Sequence, residues 1–322
     1  MGSNHMSSMN KIAEKIIIPT PFAVGDVNTY LLKGDALTLV DAGIKTQEAK
    51  EALERQLKEL GYKLSDIEQV ILTHHHSDHC GLIDLFKDRP LYGHEDNQRH
   101  LVRDADFMND QKEFFTKMAG QFGVPPQFMK HANDVKSLYT YSGSTPLTHY
   151  LREGDEIPGH PDWVAMETFG HSQGHLSFYQ EKTGTLIGGD LLLGRISPNP
   201  ILEMPKEPGQ DRVKPQLQLN DSLRRLLDET LTVVYPGHGA DIKEPYDLIE
   251  KRLKHQHERA FHVKSLIGND RRNVLELAVL LFPKAVKRDP ALALFETLGQ
   301  LDYLDSLHEI ESEMVDGVVW YY

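Results

Sequence analysis

Short apolar runs separated by polar turn residues fill the N-terminal part of the chain. The segments KIIIP, NTYLLKG and ALTLVDAG are rich in β-branched and aliphatic residues, and each predicts a β-strand. Residues 46–60 instead place Ala49, Leu53 and Leu57 at helical spacing, and Gly61 ends this predicted helix. Two further strands are predicted from IEQVILT and RPLYGHE, which end at Thr73 and Glu95.

The pattern becomes helical over residues 96–140 and then returns to strands. We interpret this segment as a helical insertion, because β-like runs resume after it in WVAMETFG, LSFYQ, GTLIGGD and LTVVYPGHG. Polar residues gather where these strands end. The alternation of strands and helices predicts an α/β sandwich that carries its site on the loops at one sheet edge.

The C-terminal part, residues 246–322, has a different character and is predicted to be a small separate domain. Three helices are expected within residues 247–310, and a terminal hairpin turns at Asp316 and Gly317. Three helices and a hairpin resemble a winged helix. The third helix, residues 291–310, contains acidic residues but no Lys or Arg, so it would repel the phosphates of DNA. We expect this domain to serve in packing, dimerisation or forming a wall of the active site.

Composition narrows the class of protein. The chain has 322 residues and a formal net charge of −13, which disfavours nonspecific attraction to nucleic acid or to anionic membranes. The one cysteine, Cys80, allows no intrachain disulfide and suits a reducing cytoplasm. Residues 1–8 resemble a cloning remnant, and the apolar runs are too short for a signal peptide or a membrane span. A cytoplasmic protein is expected, with its main domain over residues 9–245.

The stretch ILTHHHSDHC, residues 71–80, concentrates titratable side chains at the end of a predicted strand. His74 and His76 are two residues apart, so an extended backbone points both to the same side and turns His75 away. Asp78 and His79 follow at the start of a predicted helix, where Asp78 also has the residue type of an N-terminal cap. Together these residues indicate half of a metal site rather than a solvated loop.

Three later segments put a histidine or an aspartate beside glycines at a predicted strand end. They are FGHSQGH with His171 and His175, GGD with Asp190, and YPGHG with His238. Glycine lets the backbone turn sharply and approach a neighbour closely, as a crowded site requires. The four segments in this order indicate a complete metal centre.

These motifs resemble those of the metallo-β-lactamase-fold hydrolases. That family has an aspartate after an early strand, here Asp41, followed by HxHxDH, a His, an Asp and a final His. The resemblance covers roughly residues 15–245 and implies a four-layer αβ/βα sandwich with two metals at one sheet edge. It also implies the ligands: one metal takes His74, His76 and His171, the other takes Asp78, His79 and His238, and Asp190 bridges them. Asp41 supports the ligands in that family.

The resemblance further implies a hydrolase that uses a metal-bridging hydroxide, with Asp78 and His175 as the expected catalytic residues. Imidazoles and carboxylates suit two Zn²⁺ ions, although Fe or Mn also fits such donors. A role for His175 in orienting the ligands is an alternative to contact with substrate. Cys80 is expected to be buried and inert.

The expected substrate is a small ester, thioester or lactone. A phosphodiesterase or endoribonuclease of the same fold and a non-hydrolytic iron-dependent sulfur dioxygenase are the alternatives, and a homodimer is a further expectation. The insertion has an apolar stripe at helical spacing, with another apolar turn starting at Phe128 and Met129. This stripe is expected either to shape the substrate pocket or to pack against the sandwich or a second subunit. Its members are Phe107, Phe114, Met118 and Phe122.

Overall fold

The structure is a computed structural model, and it describes residues 13–128, 135–207 and 209–322. The predicted cloning remnant at residues 1–8 and the predicted apolar turn at Met129 lie outside the described residues. Among the described residues, no helix combines the length and the apolar composition needed to cross a membrane.

Two β-sheets and a terminal hairpin account for the strands of the described residues. The first sheet holds β1 (Glu14–Ile18), β2 (Val27–Lys33), β3 (Leu37–Val40), β4 (Gln69–Ile71), β5 (Leu91–Gly93) and β6 (His149–Tyr150), paired in that order. The second holds β7 (Glu156–Ile157), β8 (His160–Glu167), β9 (Leu176–Gln180), β10 (Thr185–Gly189) and β11 (Val233–Pro236), and each of these strands pairs with the next one along the chain. The hairpin consists of β12 (Ser312–Val315) and β13 (Val318–Tyr321).

The helices of the described residues lie outside the sheets or in the C-terminal part. They are α1 (Gln47–Glu59), α2 (Ser77–Cys80), α3 (Asn97–Val102), α4 (Ala105–Gln121), α5 (Pro215–Leu226), α6 (Pro245–Ile267), α7 (Val274–Leu281), α8 (Ala285–Arg288) and α9 (Pro290–Ser306). Within the part of the chain that the structure describes, short 3₁₀ turns cover Leu64–Asp66, Gly81–Phe86, Pro126–Phe128 and Val135–Tyr139.

Alternate residues of the strands belong to different cores, which defines four layers. On β2, Leu31 packs with α1 on the outside of the first sheet, whereas Leu32 packs between the two sheets with Phe178. On the outer face of the second sheet, Leu186 packs with α5. The order helix, sheet, sheet, helix is the predicted αβ/βα sandwich, and the predicted fold class is therefore confirmed.

Most predicted elements are present, but α5 and the short strands β6 and β7 were not anticipated. The buried face of α5 includes Gln216 and Asn220, which hydrogen bond to each other and onward to Gln256 of α6. Leu219, Leu223 and Leu226 do recur at helical spacing, so the sequence contains an apolar period for this helix that the prediction did not use.

The apolar stripe of the insertion packs against the C-terminal helices. Met118 and Phe122 of α4 share a buried cluster with Leu277 of α7 and Leu298 of α9. This face therefore packs mainly on the C-terminal helices, which the prediction did not name, and also contacts the main domain through Leu202; packing on a second subunit stays a prediction. The three predicted C-terminal helices and the hairpin are present, and the assignment to the winged-helix class stays a prediction.

Helix α9 is the third of the three predicted C-terminal helices, and it is largely buried. Ten of its residues, between Ala293 and Leu304, are buried. Among them, Asp302 receives two hydrogen bonds from Arg212. The helix therefore serves in packing, one of the roles expected for the C-terminal part.

Candidate metal centre

The candidate ligands lie at the carboxyl ends of parallel strands. In the first sheet β3 is parallel to β4, so Asp41 and the 74–79 loop emerge at the same edge. In the second sheet β10 is parallel to β11, which brings Asp190 and His238 together. The two sheet edges face each other across the sandwich, and the metal-binding motif residues converge there.

The side chains form two groups that share Asp190. The donor atoms of His74, His76 and His171 lie within 4.8 Å of one another, as do those of Asp78, His79 and His238. Oδ2 of Asp190 lies 3.5 Å from Nε2 of His171 and 3.6 Å from Nε2 of His238. One carboxylate thus reaches both groups, in the arrangement that the resemblance implied.

Each of four histidines has one ring nitrogen anchored to an oxygen outside the cluster. Nδ1 of His171 lies 2.9 Å from the Asn199 carbonyl, and Nδ1 of His238 lies 2.8 Å from the Asp26 carbonyl. Nδ1 of His79 faces Asp41 at 2.8 Å, and Nδ1 of His74 faces Thr73 Oγ1 at 3.0 Å. Such contacts fix the orientation of metal-binding histidines and leave the other nitrogen for the metal.

Four of the inward-facing atoms lack hydrogen-bond partners, whereas Nε2 of His171 lies 2.9 Å from Nδ1 of His76. Among the described residues, Nε2 of His74, His79 and His238 and Oδ1 of Asp190 are buried and accept or donate no hydrogen bond. His79 Nε2 lies 3.4 Å from Asp190 Oδ1 without the alignment of a hydrogen bond. Leaving buried polar atoms unpaired is costly, so this cluster of nitrogen and oxygen donors fits a divalent metal better than it fits protein contacts alone.

The charged side chains of the cluster strongly shift one another's pKa values. Burial and the neighbouring imidazoles lower the pKa of His74 well below its usual value. His79 behaves oppositely: burial opposes its charge, but Asp190, Asp41 and Asp78 raise its pKa well above the usual value. Although burial alone would raise the pKa of Asp190, His79 and His238 hold it well below its usual range. The cluster therefore keeps its carboxylates ionised, which suits cation binding.

Asp78 is not a helix cap. Helix α2 begins at Ser77, which places Asp78 within its first turn, and Oδ2 of Asp78 lies 3.2 Å from Nε2 of His238. The carboxylate also lines the cleft described below. The structure therefore offers Asp78 to a ligand and not to the helix backbone.

His175 lies behind Asp190 and does not line the cleft. It is fully buried, with Nδ1 2.8 Å from Thr168 Oγ1, and its Nε2 accepts a hydrogen bond from the backbone N–H of Asp190. Both ring nitrogens are thus engaged within the protein. This geometry corresponds to the expected orienting role and not to the expected catalytic contact with substrate, which requires a free nitrogen in the cleft.

His75 turns away from the candidate ligands, as its sequence position predicted. Its ring stacks on His100 with centroids 3.6 Å apart and planes inclined by 13°. His100 Nε2 lies 3.2 Å from the buried Glu203, which also accepts a hydrogen bond from the backbone of Gln173. Two stacked rings cannot both point a nitrogen lone pair at one ion, so His75, His100 and Glu203 form a poor metal site. Their contacts instead hold the loops that carry them together. Sequence reasoning missed Glu203, since no motif surrounds it.

Two glycines permit the close packing of the centre. Gly189 has φ of +48°, and a side chain on it would overlap His175. A Cβ on Gly237 would overlap Oδ1 of Asp190. These positions explain why glycines flank Asp190 and His238 in the sequence.

A cleft of about 1590 Å³ opens from this cluster. Asp78, His171, Asp190 and His238 lie in its lining. The remaining walls come from the N-terminal loop around Phe22, the insertion, the 193–203 loop and the C-terminal helices. The C-terminal part therefore forms a wall of this cleft, one of the three roles expected for it.

Comparison with known proteins found a matching family model, a similar sequence and two similar structures. A family model described as the metallo-beta-lactamase superfamily matches residues 23–238. The probable metallo-hydrolase YqjP of Bacillus subtilis is 43% identical over 307 residues, which cover 95% of this chain and 96% of YqjP. The metallo-beta-lactamase family protein TTHA1429 of Thermus thermophilus superposes with a TM-score of 0.78 at 28% identity, covering 97% of this chain and 98% of that one. A beta-lactamase domain protein of Burkholderia ambifaria is similar in fold, with a TM-score of 0.76, 23% identity and coverage of 96% and 92%.

Proposed function

Since this chain belongs to the metallo-beta-lactamase superfamily and is a metallo-hydrolase of that superfamily, we propose that it cleaves an ester, a thioester or a lactone with two divalent metals. The observation that carries this proposal is the pair of donor groups that share Asp190, with four buried inward-facing atoms left without hydrogen bonds. Zinc is the proposed metal, because neutral imidazoles and carboxylates are its common ligands.

The proposed ligands fall into two sets. His74, His76 and His171 would hold one metal, and Asp78, His79 and His238 would hold the other. Asp190 would bridge the two sets, since its Oδ2 is almost equally distant from His171 and His238. The bound metals would supply Lewis acidity, which lowers the pKa of bound water and polarises a carbonyl oxygen.

The chain itself contributes orientation and proton transfer. The Asn199 and Asp26 carbonyls hold the rings of His171 and His238 so that their Nε2 atoms point inward. Asp78 lines the cleft, and His79 and His238 outweigh its burial and lower its pKa. Its ionised carboxylate is the proposed acceptor of the proton that hydrolysis releases and the donor to the leaving group. His175 is proposed as a positioning residue that supports the Asp190 backbone.

Cleft charges favour a carboxylic acid derivative over a phosphodiester chain. The basic side chains in the described lining are Lys15, Arg195 and Arg288, and Lys15 is paired with Asp241. Outside the proposed ligands, the lining holds six acidic side chains: Asp26, Glu203, Asp241, Glu244, Asp289 and Glu296. An excess of acid repels the phosphates of RNA, which makes the endoribonuclease alternative less favourable.

A second donor group argues against the sulfur dioxygenase alternative. Members of the fold with that activity use a single iron, whereas here the donor atoms of a second group, Asp78, His79 and His238, also lie within 4.8 Å of one another. A protein with one metal would leave Nε2 of His79 and His238 buried and unpaired.

The test is a hydrolysis panel on the zinc-loaded protein. p-Nitrophenyl esters, acyl thioesters, lactones and bis(p-nitrophenyl) phosphate would be assayed with the wild type and with His171→Ala, using the exposed His149→Ala as the matched histidine control. We expect cleavage of at least one carboxylic class, loss of activity by about a hundredfold or more in His171→Ala, and retention in His149→Ala. Cleavage of the phosphodiester alone would contradict the proposed substrate class.

A further inference from the structure

The cleft has a second region beyond the candidate metal centre, where the insertion meets the C-terminal helices. The rings of Phe115 on α4 and Phe295 on α9 stack there, with centroids 6.1 Å apart and planes inclined by 27°. Leu138 of the insertion is 55% exposed in the same cleft lining, which also includes Phe282 and Leu292. We call these five residues the acyl wall: Phe115, Leu138, Phe282, Leu292 and Phe295.

Three polar side chains of the same lining are partnered within the protein. Glu296 accepts hydrogen bonds from Arg259 at 2.6 Å and from Gln300 at 3.0 Å. Asp289 accepts one from the backbone N–H of Leu292 as the cap of α9. On the insertion side, Gln111 donates to the hydroxyl of Tyr139 at 2.9 Å. These contacts hold the three polar side chains within the protein, and the apolar surface of the five wall residues is what this region offers to an apolar ligand.

The acyl wall is continuous with the candidate metal centre, because both line one cleft. The volume of about 1590 Å³ exceeds the roughly 300–1,000 Å³ of ordinary small-molecule pockets. An occupant that spans the cleft would place a reactive group at the metals and an apolar portion against the wall. A small ester or lactone would leave the wall bare and half-exposed to water, at a cost in unburied apolar surface.

We propose that the acyl wall binds the hydrocarbon chain of a medium- or long-chain acyl substrate whose ester or thioester group lies at the candidate metal centre. The inference rests on the proposed function and deepens it, since it replaces a small substrate by an acyl chain. The wall sets specificity for chain length through its apolar area, and it takes no part in bond cleavage.

A binding experiment tests the wall without relying on turnover. Dodecanoate would be titrated by calorimetry into the zinc-loaded full chain and into two variants, Phe115→Ser and Ala291→Trp. Phe115→Ser removes apolar area, and Ala291→Trp adds bulk at an exposed lining position that does not depend on core packing. Phe128→Ser is the matched control, because Phe128 belongs to the insertion, is 55% exposed and lies outside the cleft lining.

We expect dodecanoate to bind the wild type and Phe128→Ser within about twofold of each other. Both wall variants should bind it about tenfold more weakly: Phe115→Ser because part of one aromatic contact is lost, and Ala291→Trp because the indole ring occupies space that the hydrocarbon chain needs. With p-nitrophenyl esters, kcat/KM should rise from butanoate to octanoate by about two- to fourfold per methylene in the wild type, and less steeply in Phe115→Ser.

The outcomes separate this inference from the proposed function. Ester cleavage that ignores chain length, with dodecanoate binding unchanged in both variants, would overturn the acyl wall and leave the hydrolase intact. Dodecanoate binding that depends on Phe115 without cleavage of any ester or thioester would support the wall and contradict the hydrolytic function. Neither binding nor cleavage would overturn both.

Discussion

Oδ2 of Asp41 lies 2.8 Å from Nδ1 of His79, and the same carboxylate accepts hydrogen bonds from both the backbone and the hydroxyl of Thr73. Asp41 adopts a left-handed backbone conformation with φ of +59°, which a non-glycine residue adopts at some cost. This aspartate is buried between two loops. It fixes the ring of one proposed ligand to the loop that delivers the others.

Replacing Asp41 by Asn should therefore weaken metal binding without touching a proposed ligand. The amide cannot compensate the charge of a polarised His79 ring, so we expect the metal at the group of Asp78, His79 and His238 to bind about ten- to a hundredfold more weakly. Competition with a chromophoric chelator would measure this change. The exposed Asp35→Asn is the control and should leave both affinities unaltered. An unaltered metal affinity in Asp41→Asn would show that Asp41 does not support metal binding through His79.

Metal affinity should rise with pH. In the metal-free chain, Asp190 and neighbouring carboxylates outweigh burial and raise the pKa of both His79 and His238, so both rings are protonated near their ordinary pKa of 6.5. Each ring must lose its proton to bind metal, and the apparent affinity should increase by about tenfold per pH unit for each proton released. Zinc titrations between pH 6 and pH 8 would measure this slope. A flat affinity across that range would contradict the assignment of these two rings as ligands.

Two buried histidines, His75 and His175, should each destabilise the metal-free protein on mild acidification. Burial lowers the pKa of His75 and of His175 to about 3, below the ordinary value of 6.5. Between these values the unfolded chain binds more protons than the folded chain, so the free energy of unfolding decreases as the pH falls below 6.5. Each ring contributes up to about 1.4 kcal/mol per pH unit.

Urea unfolding of the chelated protein at pH 7.5 and pH 5.5 measures this loss. His175→Gln removes one of the two titrating rings and should lose less stability between these pH values than the wild type. His149→Gln replaces an exposed histidine and should behave as the wild type does. If His175→Gln and the wild type lose the same stability, then His175 is not held neutral by the fold.

Cys80 should be unreactive in the folded protein. Its thiol is fully buried and donates to the His75 carbonyl at 3.0 Å, and burial raises its pKa to about 12. Only the thiolate reacts rapidly with iodoacetamide, so alkylation of the native chain should be slow and should become fast in denaturant. Mass spectrometry before and after unfolding would record this difference. Rapid native alkylation would place the thiol at an accessible position.

The motifs of the site were recognisable because each one is local. The HxHxDH segment and the glycines beside Asp190 and His238 report their environment within a few residues of sequence. The oxygens that orient the rings are different: the carbonyls of Asn199 and Asp26 belong to backbone groups, which every residue has. Only the fold brings them to the histidines, so no residue type could signal them.

The sequence likewise does not reveal which surface an amphipathic helix packs against. The period of α4 correctly marked Met118 and Phe122 as an apolar face, yet a period does not say which surface covers that face. The C-terminal helices cover it. The neighbouring Phe115, one position away from the stripe, is the aromatic residue of α4 that lines the cleft.

The most direct test of the central claim is the metal content of the wild type beside that of Asp190→Ala. Both proteins would be saturated with zinc, dialysed and analysed by elemental mass spectrometry, with circular dichroism confirming that the variant is folded. We expect two zinc ions per wild-type chain and weak or no retention at both groups in Asp190→Ala, since one carboxylate serves both. A wild type that retains no zinc, or an Asp190→Ala variant that still holds two ions as tightly, would contradict a dinuclear centre bridged by Asp190.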